Sequence, residues 1–435
     1  MTSSSFPRLP SSGIKVIIVG AGFAGLTAAI ECHRKGHSVT VFERVPELKP
    51  LGDIISFGQN ASRIFAKWPG VMEKIEPIMH KSDGINYHNF EGKFVTSQSF
   101  SPERQWGRRI NGHRGELHQV LYEHARLRGI DVKLGQNVTN YFETGNEAGI
   151  EANGVKHTAD VVLAAEGVKS RGRSIVLGFD DKPQPSGYAV FRAWMTTEEL
   201  KQNGMTKYLV QSDSHNAWLG EDIHFIAAAI KDGAELSWVC THKDEAGIEE
   251  SWQFPGKVDD VLEVLKGWDP VVLELVKATP PDRLFDYKLV YRDPLPTFVS
   301  PQARIALIGD AAHPFLPTSI QGASQAMEDG VTLAACLDIA GRQNVKEAMQ
   351  VYERMRYERV HKIQATGVTT RDKWHKADWD LIWQDPTLLH LKREAWILNF
   401  DVEESAYSQY EDLRTSLKGK TETGIHDLGE TPQAI

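Results

Sequence analysis

The stretch that most constrains the fold lies near the N-terminus. An aliphatic run from Ile14 to Val19, broken only by Lys15, leads into Gly20-Ala21-Gly22-Phe23-Ala24-Gly25 and then into the helix-favouring Leu26-Thr27-Ala28-Ala29-Ile30. A second apolar run, Ser38 to Phe42, ends in Glu43-Arg44. Strand, glycine turn, helix and strand in this order predict one βαβ unit of a parallel sheet. Gly20 permits the tight turn, Gly22 lets the backbone approach a pyrophosphate, and Gly25 lets the helix pack against the strand. The helix N-terminus offers free N–H groups to phosphates. A carboxylate at the end of the second strand suits ribose hydroxyls. This motif marks a dinucleotide site without separating NAD from FAD, so a plain NAD dehydrogenase stays open at this point.

Further along, Gly115 to Arg128 has helical spacing, with Leu117, Val120, Leu121 and His124 on one side. Asp131 to Leu134, Val138 to Glu143 and Asp160 to Ala165 are strand-like. The pattern changes near Ser186. Tyr188 to Thr196, Ile223 to Ile230 and Leu236 to Thr241 are strand-like, the last two joined by the turn Lys231-Asp232-Gly233-Ala234. A helix is predicted near Asp259 to Trp268. Parallel-sheet character returns with a strand over Arg304 to Ile308 and helices over Gly322 to Ala340 and Val345 to Thr366. The fold class is therefore α/β: a Rossmann-like nucleotide-binding domain in two parts, residues 14–179 and 296–370. An antiparallel-sheet domain, residues 180–295, interrupts it. A helical region with a polar tail, residues 371–435, follows.

Composition excludes several functions. Net charge is −9 with no long basic run, which argues against nucleic acid as a partner. The short cluster Arg104, Arg108 and Arg109 beside Trp106 is expected to be a solvated loop. The three cysteines, Cys32, Cys240 and Cys336, form no CxxC pair. That fits a reducing compartment and excludes a redox dithiol. No apolar run reaches membrane-span length, and the polar first residues carry no secretory signal, so a cytoplasmic protein is expected. No metal-ligand spacing, nucleophilic triad or P-loop stands out. Oligomeric state is not legible.

A second constellation is more specific. Arg304-Ile305-Ala306-Leu307-Ile308-Gly309-Asp310-Ala311-Ala312-His313-Pro314 puts an acid just past a buried strand, at the edge where open sheets bind ligands. Pro317, Gln321-Gly322-Ala323 and Glu328-Asp329-Gly330 follow. Between the two motifs, Asp160 to Arg173 contains Glu166-Gly167. Together these resemble the class A FAD-dependent aromatic hydroxylases of the para-hydroxybenzoate and salicylate hydroxylase type. The likeness covers roughly Ile14 to Thr370. It is strongest to fungal members, including those that oxidise indole alkaloids.

The resemblance implies roles. Gly20, Gly22, Ala24, Gly25, Glu43 and Arg44 serve the nucleotide half of FAD. Gly309 and Asp310 meet the ribityl chain, Pro314 and Pro317 lie near the flavin face, and Gln321, Gly322 and Ala323 meet its pyrimidine edge. A helix N-terminus there suits the charge of reduced flavin. Arg114 touches FAD near the phosphate and ribityl chain, and Asn60 lies beside the ring. Glu166 stands where the family usually has Asp, in a segment serving FAD and the nicotinamide cofactor. Arg171 and Arg173 either contact a phosphate or sit on the surface.

Arg192 falls inside an apolar strand, on one face with Tyr188, Val190 and Trp194. Because a buried charge needs a partner, it meets an internal carboxylate or faces the substrate cavity. His224 and His313 are expected to be structural. The implied reaction uses NADPH or NADH and O2. A flavin C4a-hydroperoxide inserts one oxygen atom into an electron-rich aromatic small molecule, a phenol or an indole-like ring. The setting is fungal secondary metabolism or aromatic catabolism. An FAD oxidase, a halogenase and a non-catalytic flavin-binding protein are the alternatives.

Overall fold

The computed structural model describes residues 8–49, 52–182, 184–244 and 254–422. The end of the expected polar tail and the first seven residues lie outside these. The core is a five-stranded parallel sheet in the order Ile305–Leu307, Val161–Ala164, Lys15–Val19, Ser38–Phe42, Asp131–Lys133. Its register decides where function sits. Val19 pairs with Ala164 and with Phe42, and Ala164 pairs with Leu307. The residues that follow these strand ends, Gly20, Glu43, Glu166 and Asp310, therefore leave the sheet along one carboxyl edge.

The helix Phe23–Arg34 is buried over most of its length, between this sheet and the helix Gly322–Ala340. Gly330 makes that packing possible. A Cβ there would stand 2.6 Å from the backbone nitrogen of Ala28. A three-stranded antiparallel sheet, Val138–Glu143, Ala148–Ala152 and Val155–Ala159, flanks the core. Its second and third strands are short and rich in Ala, Gly and charged residues, which leaves little β signal in the sequence.

The second layer is an eight-stranded sheet. Its centre contains Leu284–Tyr291, Gln184–Thr196, Glu235–Lys243, Ile223–Ile230 and Ser214–Gly220. The turn between Ile223–Ile230 and Glu235–Lys243 holds Lys231 and Asp232 at φ 57 and 59, the left-handed geometry a tight hairpin requires. Two further strands, Gly84–Asn89 and Phe94–Ser99, come from within residues 14–179, the first pairing in parallel with Ser214–Gly220. Alternation divides the faces. Phe191, Ala193, Met195, Trp218, Phe225 and Trp238 pack beneath the helices Val258–Val264 and Pro270–Lys277. Tyr188, Val190, Arg192 and Trp194 occupy the opposite face.

The helix Val345–His375 outruns its expected end by nine residues. Gly367 lets it pass close to the preceding loop, where a Cβ would lie 3.2 Å from the Leu316 side chain. The extension brings Trp374 and His375 to the large sheet, where His375 Nε2 lies 2.7 Å from His224 Nδ1. Among the described residues, no helix is long and apolar enough to cross a membrane, and no group of three or more His, Cys, Asp or Glu is placed to hold a metal ion. All three cysteines are buried and free. The basic cluster divides: Arg104 and Arg108 form exposed ion pairs with Asp83 and Glu76, whereas Arg109 turns inward, against the expectation of a uniformly solvated loop.

Candidate functional site

Gly20 has φ +101, and a Cβ on it would meet the Ala165 carbonyl oxygen at 2.4 Å. Gly25 is equally constrained, its Cβ position lying 1.9 Å from the Gly20 carbonyl oxygen. Gly22 differs: nothing lies within 4 Å of where its Cβ would be. The helix that Gly22 begins has no side-chain cap and no acid in its first turn, so its N-terminal N–H groups and partial positive charge face open space. Glu43 braces this loop. Its carboxylate accepts the Ala21 N–H at 2.7 Å and the Val45 N–H at 2.9 Å. His118 Nε2 lies 2.6 Å from the Ala21 carbonyl oxygen. Burial holds this imidazole pKa down, so the neutral ring donates from Nε2. Arg44 is exposed.

Asp310 sits across the edge. Its side chain is solvent-accessible, yet desolvation raises its carboxyl pKa against the pull of His313 and Arg114. Asp310 thus reaches water while the surrounding protein still disfavours its charge. The turn before it is held from below, where the Gly309 N–H donates to Asp329 Oδ2 at 2.8 Å and His313 Nε2 lies 2.6 Å from the same oxygen. Pro314 is buried and Pro317, which opens the short turn Pro317–Ser319, is exposed. Ile320 then adopts φ +56, an uncommon and costly conformation for a β-branched residue. It aims the chain into Gln321 and the uncapped start of Gly322–Ala340.

Asn60 links the two motifs. Its Nδ2 donates to Gln321 Oε1 at 3.1 Å and to Glu328 Oε1 at 2.7 Å, and Ser324 Oγ accepts the Gly58 N–H at 3.1 Å. Beneath lies a buried ion network. Arg356 donates to Glu328 at 2.5 Å, Asp329 at 2.8 Å and Gln325 Oε1 at 2.7 Å, and Arg359 donates to Glu328 at 2.8 and 2.9 Å. Burial alone would push both carboxyl pKa values up. Arg359 and Arg356 for Glu328, and His313 and Arg356 for Asp329, hold them below the usual range.

The large sheet meets this edge at Arg192. Its side chain is 8% exposed, and Nη1 lies 3.5 Å from Asp53 Oδ2. Its guanidinium carbon lies 5.3 Å from the centre of the Tyr287 ring. Tyr287 is buried, which raises its pKa, and Asp53, Arg192, Arg114 and Asp310 all lie near enough to act on it. Arg114 opens the helix Arg114–Leu127, and its N–H donates to the Asp53 carbonyl at 3.0 Å. Gly52, at φ +133, admits the Arg114 side chain, whose Cβ would stand 3.1 Å from a Cβ on that glycine. Glu166 is bound within its own turn, accepting from Ser170 Oγ at 2.5 Å and the Gly172 N–H at 3.4 Å. Arg171 stays at the surface, while Arg173 is buried between Asp181 and the Ala311 carbonyl.

A family model described as an FAD binding domain matches residues 13–366. The chain belongs to this family and is an FAD-dependent monooxygenase. Among similar flavoproteins, asperlicin C monooxygenase of Petromyces alliaceus is 36% identical over 431 residues, 96% of this chain and 92% of that protein. The crystal structure of CtdE in complex with FAD and substrate superposes with a TM-score of 0.89 at 36% identity, covering 93% of this chain and 100% of that one. A salicylate hydroxylase substrate complex shares the fold, with a TM-score of 0.75 at 24% identity over 93% of this chain and 98% of that one.

The flavoprotein edge fits its cofactor on observations of this chain. Two uncapped helix starts, the open space at Gly22 and an accessible acid at Asp310 lie together at the carboxyl edge of the parallel sheet. Sequence reasoning missed the network that supports it. Glu328 and Asp329 were legible as a motif, but Arg356 was hidden in an Arg- and Glu-rich helix. The available signal is its phase: Val345, Met349, Tyr352, Arg356, Val360, Ile363 and Gly367 form one buried stripe. A charge on that stripe requires buried partners.

Proposed function

We propose that this flavoprotein uses NADPH or NADH and O2 to insert one oxygen atom into an electron-rich aromatic small molecule, a phenol or an indole-like ring. The balance is ring C–H, O2, NAD(P)H and a proton giving ring C–OH, NAD(P)+ and water. FAD supplies the redox chemistry when bound, taking a hydride and activating O2. The protein's part is to bind, orient and exclude water. Gly20, Gly22, Ala24, Gly25, Glu43 and Arg44 hold the nucleotide half, with Arg114 and Glu166 nearby. Gly309 and Asp310 hold the ribityl chain. Asn60, Pro314, Pro317, Gln321, Gly322 and Ala323 surround the ring. We place the enzyme in the cytoplasm, in fungal secondary metabolism or aromatic catabolism.

The observation that carries this reading is the convergence of Arg192, Tyr287 and Asp53 with Asp310 and Arg114. It sets a buried guanidinium and an apolar wall of Val190, Tyr287 and Leu289 against the flavin-binding edge. Arg192 lies within ion-pair distance of Asp53 and can donate hydrogen bonds to oxygen where the substrate ring meets the flavin. The test is stopped-flow reduction of the FAD-loaded protein by NADPH. It is followed by NADPH and O2 consumption across phenols, salicylates and indoles with product masses. A gain of one oxygen atom per turnover supports the reading. Reduction by the organic substrate alone makes the protein an oxidase, and a lack of reduction by either makes it a non-catalytic flavin binder.

A further inference from the structure

Beside the Gln321 loop, and lined in part by it, lies a cavity of about 140 Å3. Arg109 and Ser56 line one side, Lys392 and Arg393 another, and Thr366 and Thr370 a third. The Arg109 guanidinium lies 4.2 Å from the centre of the Phe100 ring, and that of Arg393 lies 4.8 Å from it. Arg393 is paired with Glu103, Nε to Oε1 at 2.8 Å. Arg109 reaches only a neutral group, Ser56 Oγ at 3.3 Å, and its buried Nη1 has no hydrogen-bond partner among the described residues.

The charge count is then uneven. Two guanidiniums and one carboxylate, Glu103, leave one positive charge in excess. Tyr87, His80 and His215 lie near Arg109, but burial pushes the phenol pKa up and the imidazole pKa values down, so all three are neutral. Glu394 on the rim is exposed and bonded to Trp396 Nε1 at 3.0 Å. Desolvation, then Arg393, pushes the Arg109 pKa down to about 9. An uncompensated buried charge is costly, and a bound oxyanion offsets that cost with charge-assisted hydrogen bonds.

We propose that this cavity is an oxyanion subsite in which Arg109 holds a carboxylate of the aromatic substrate, making Arg109 a residue that determines substrate specificity. The proposal rests on the monooxygenase reading for the word substrate, but not for the binding itself. The test is calorimetric titration of FAD-loaded wild type, R109Q and R109K with indole-3-carboxylate, indole and NADP+. Hydrogen bonds to a charged group predict that R109Q weakens indole-3-carboxylate about tenfold or more, with R109K intermediate and indole unchanged. Flavin content and melting temperature of R109Q are expected to match or exceed wild type, because the variant removes an excess buried charge. Equal loss for indole and its acid overturns the proposal, as does unchanged acid binding or a loss confined to NADP+. Arg109-dependent acid binding in a protein that oxidises no NADPH would retire the monooxygenase reading and leave the subsite standing.

Discussion

Arg356 and Asp329, 27 residues apart on successive long helices, are joined by a hydrogen bond of 2.8 Å from Nε to Oδ1, and the other oxygen of that carboxylate holds the Gly309 N–H and His313. One buried guanidinium thereby sets the height of the turn that presents Asp310. The network also reaches Gln321 through Gln325 and Asn60, so the Asp310 turn and the Gln321 segment share one support.

Removing Arg356 takes away the one guanidinium shared by two buried carboxylates, leaving Glu328 with Arg359 and Asp329 with His313. Arg356→Met is expected to cost about 3–5 kcal/mol and to lower flavin retention, read by denaturant unfolding and by the flavin absorbance of purified protein. Unchanged stability with full flavin content would show that the network is dispensable.

Gly22 and Gly330 are predicted to separate cofactor contact from packing. Gly330→Ala forces a methyl against the backbone of Ala28 and is expected to cost about 1–3 kcal/mol. Gly22→Ala meets no atom within 4 Å among the described residues. It is expected to leave the apoprotein melting temperature unchanged while weakening FAD binding, measured by flavin fluorescence titration. Equal behaviour of the two variants in both assays would contradict this division.

Arg192 is predicted to act on turnover and not on flavin retention. Arg192→Gln is expected to keep its FAD and lower product formation about 100-fold, with Arg192→Lys intermediate. Asp53→Asn should reproduce part of the loss by releasing the guanidinium. The readouts are flavin content, NADPH consumed and oxygenated product formed.

Asp286, on the face of its strand opposite Tyr287, provides a pH test of stability. Burial first, then Asp244 and Asp260, push its carboxyl pKa up to about 7, and its Oδ1 is buried without a hydrogen-bond partner among the described residues. The folded chain therefore keeps a proton that the unfolded chain has lost. Stability falls as pH rises from the ordinary carboxylate value through about 7. Asp286→Asn is expected to raise the melting temperature at pH 8 and to change it little at pH 4. A gain that does not depend on pH would refute the assignment.

Much of the scaffold was legible because local pattern and final environment agree. The strand Val138–Glu143, the strand Ile223–Ile230 and the helix Gly322–Ala340 run over the residues their patterns predict. The helix Val345–His375 exceeds its pattern because its last turns are a glycine and a mostly polar run, and only the distant sheet buries Trp374 and His375. Gly84–Asn89 and Phe94–Ser99 carried no sign that they would join a sheet formed mainly by residues a hundred positions later. Arg109 looked like its exposed neighbours Arg104 and Arg108, since nothing local marks which of three arginines turns inward.

The chain alone determined the parallel sheet, its glycine turns and the acids that follow its strands, because tight turns, helix starts and buried strands are written in short-range residue choices. Tertiary structure decided which charges meet: Arg356 with Asp329, Arg192 with Asp53, and Arg109 with no carboxylate of its own among the described residues. Those pairings depend on the approach of elements distant in sequence, and the cost of burying a charge is set by the neighbours that folding brings to it.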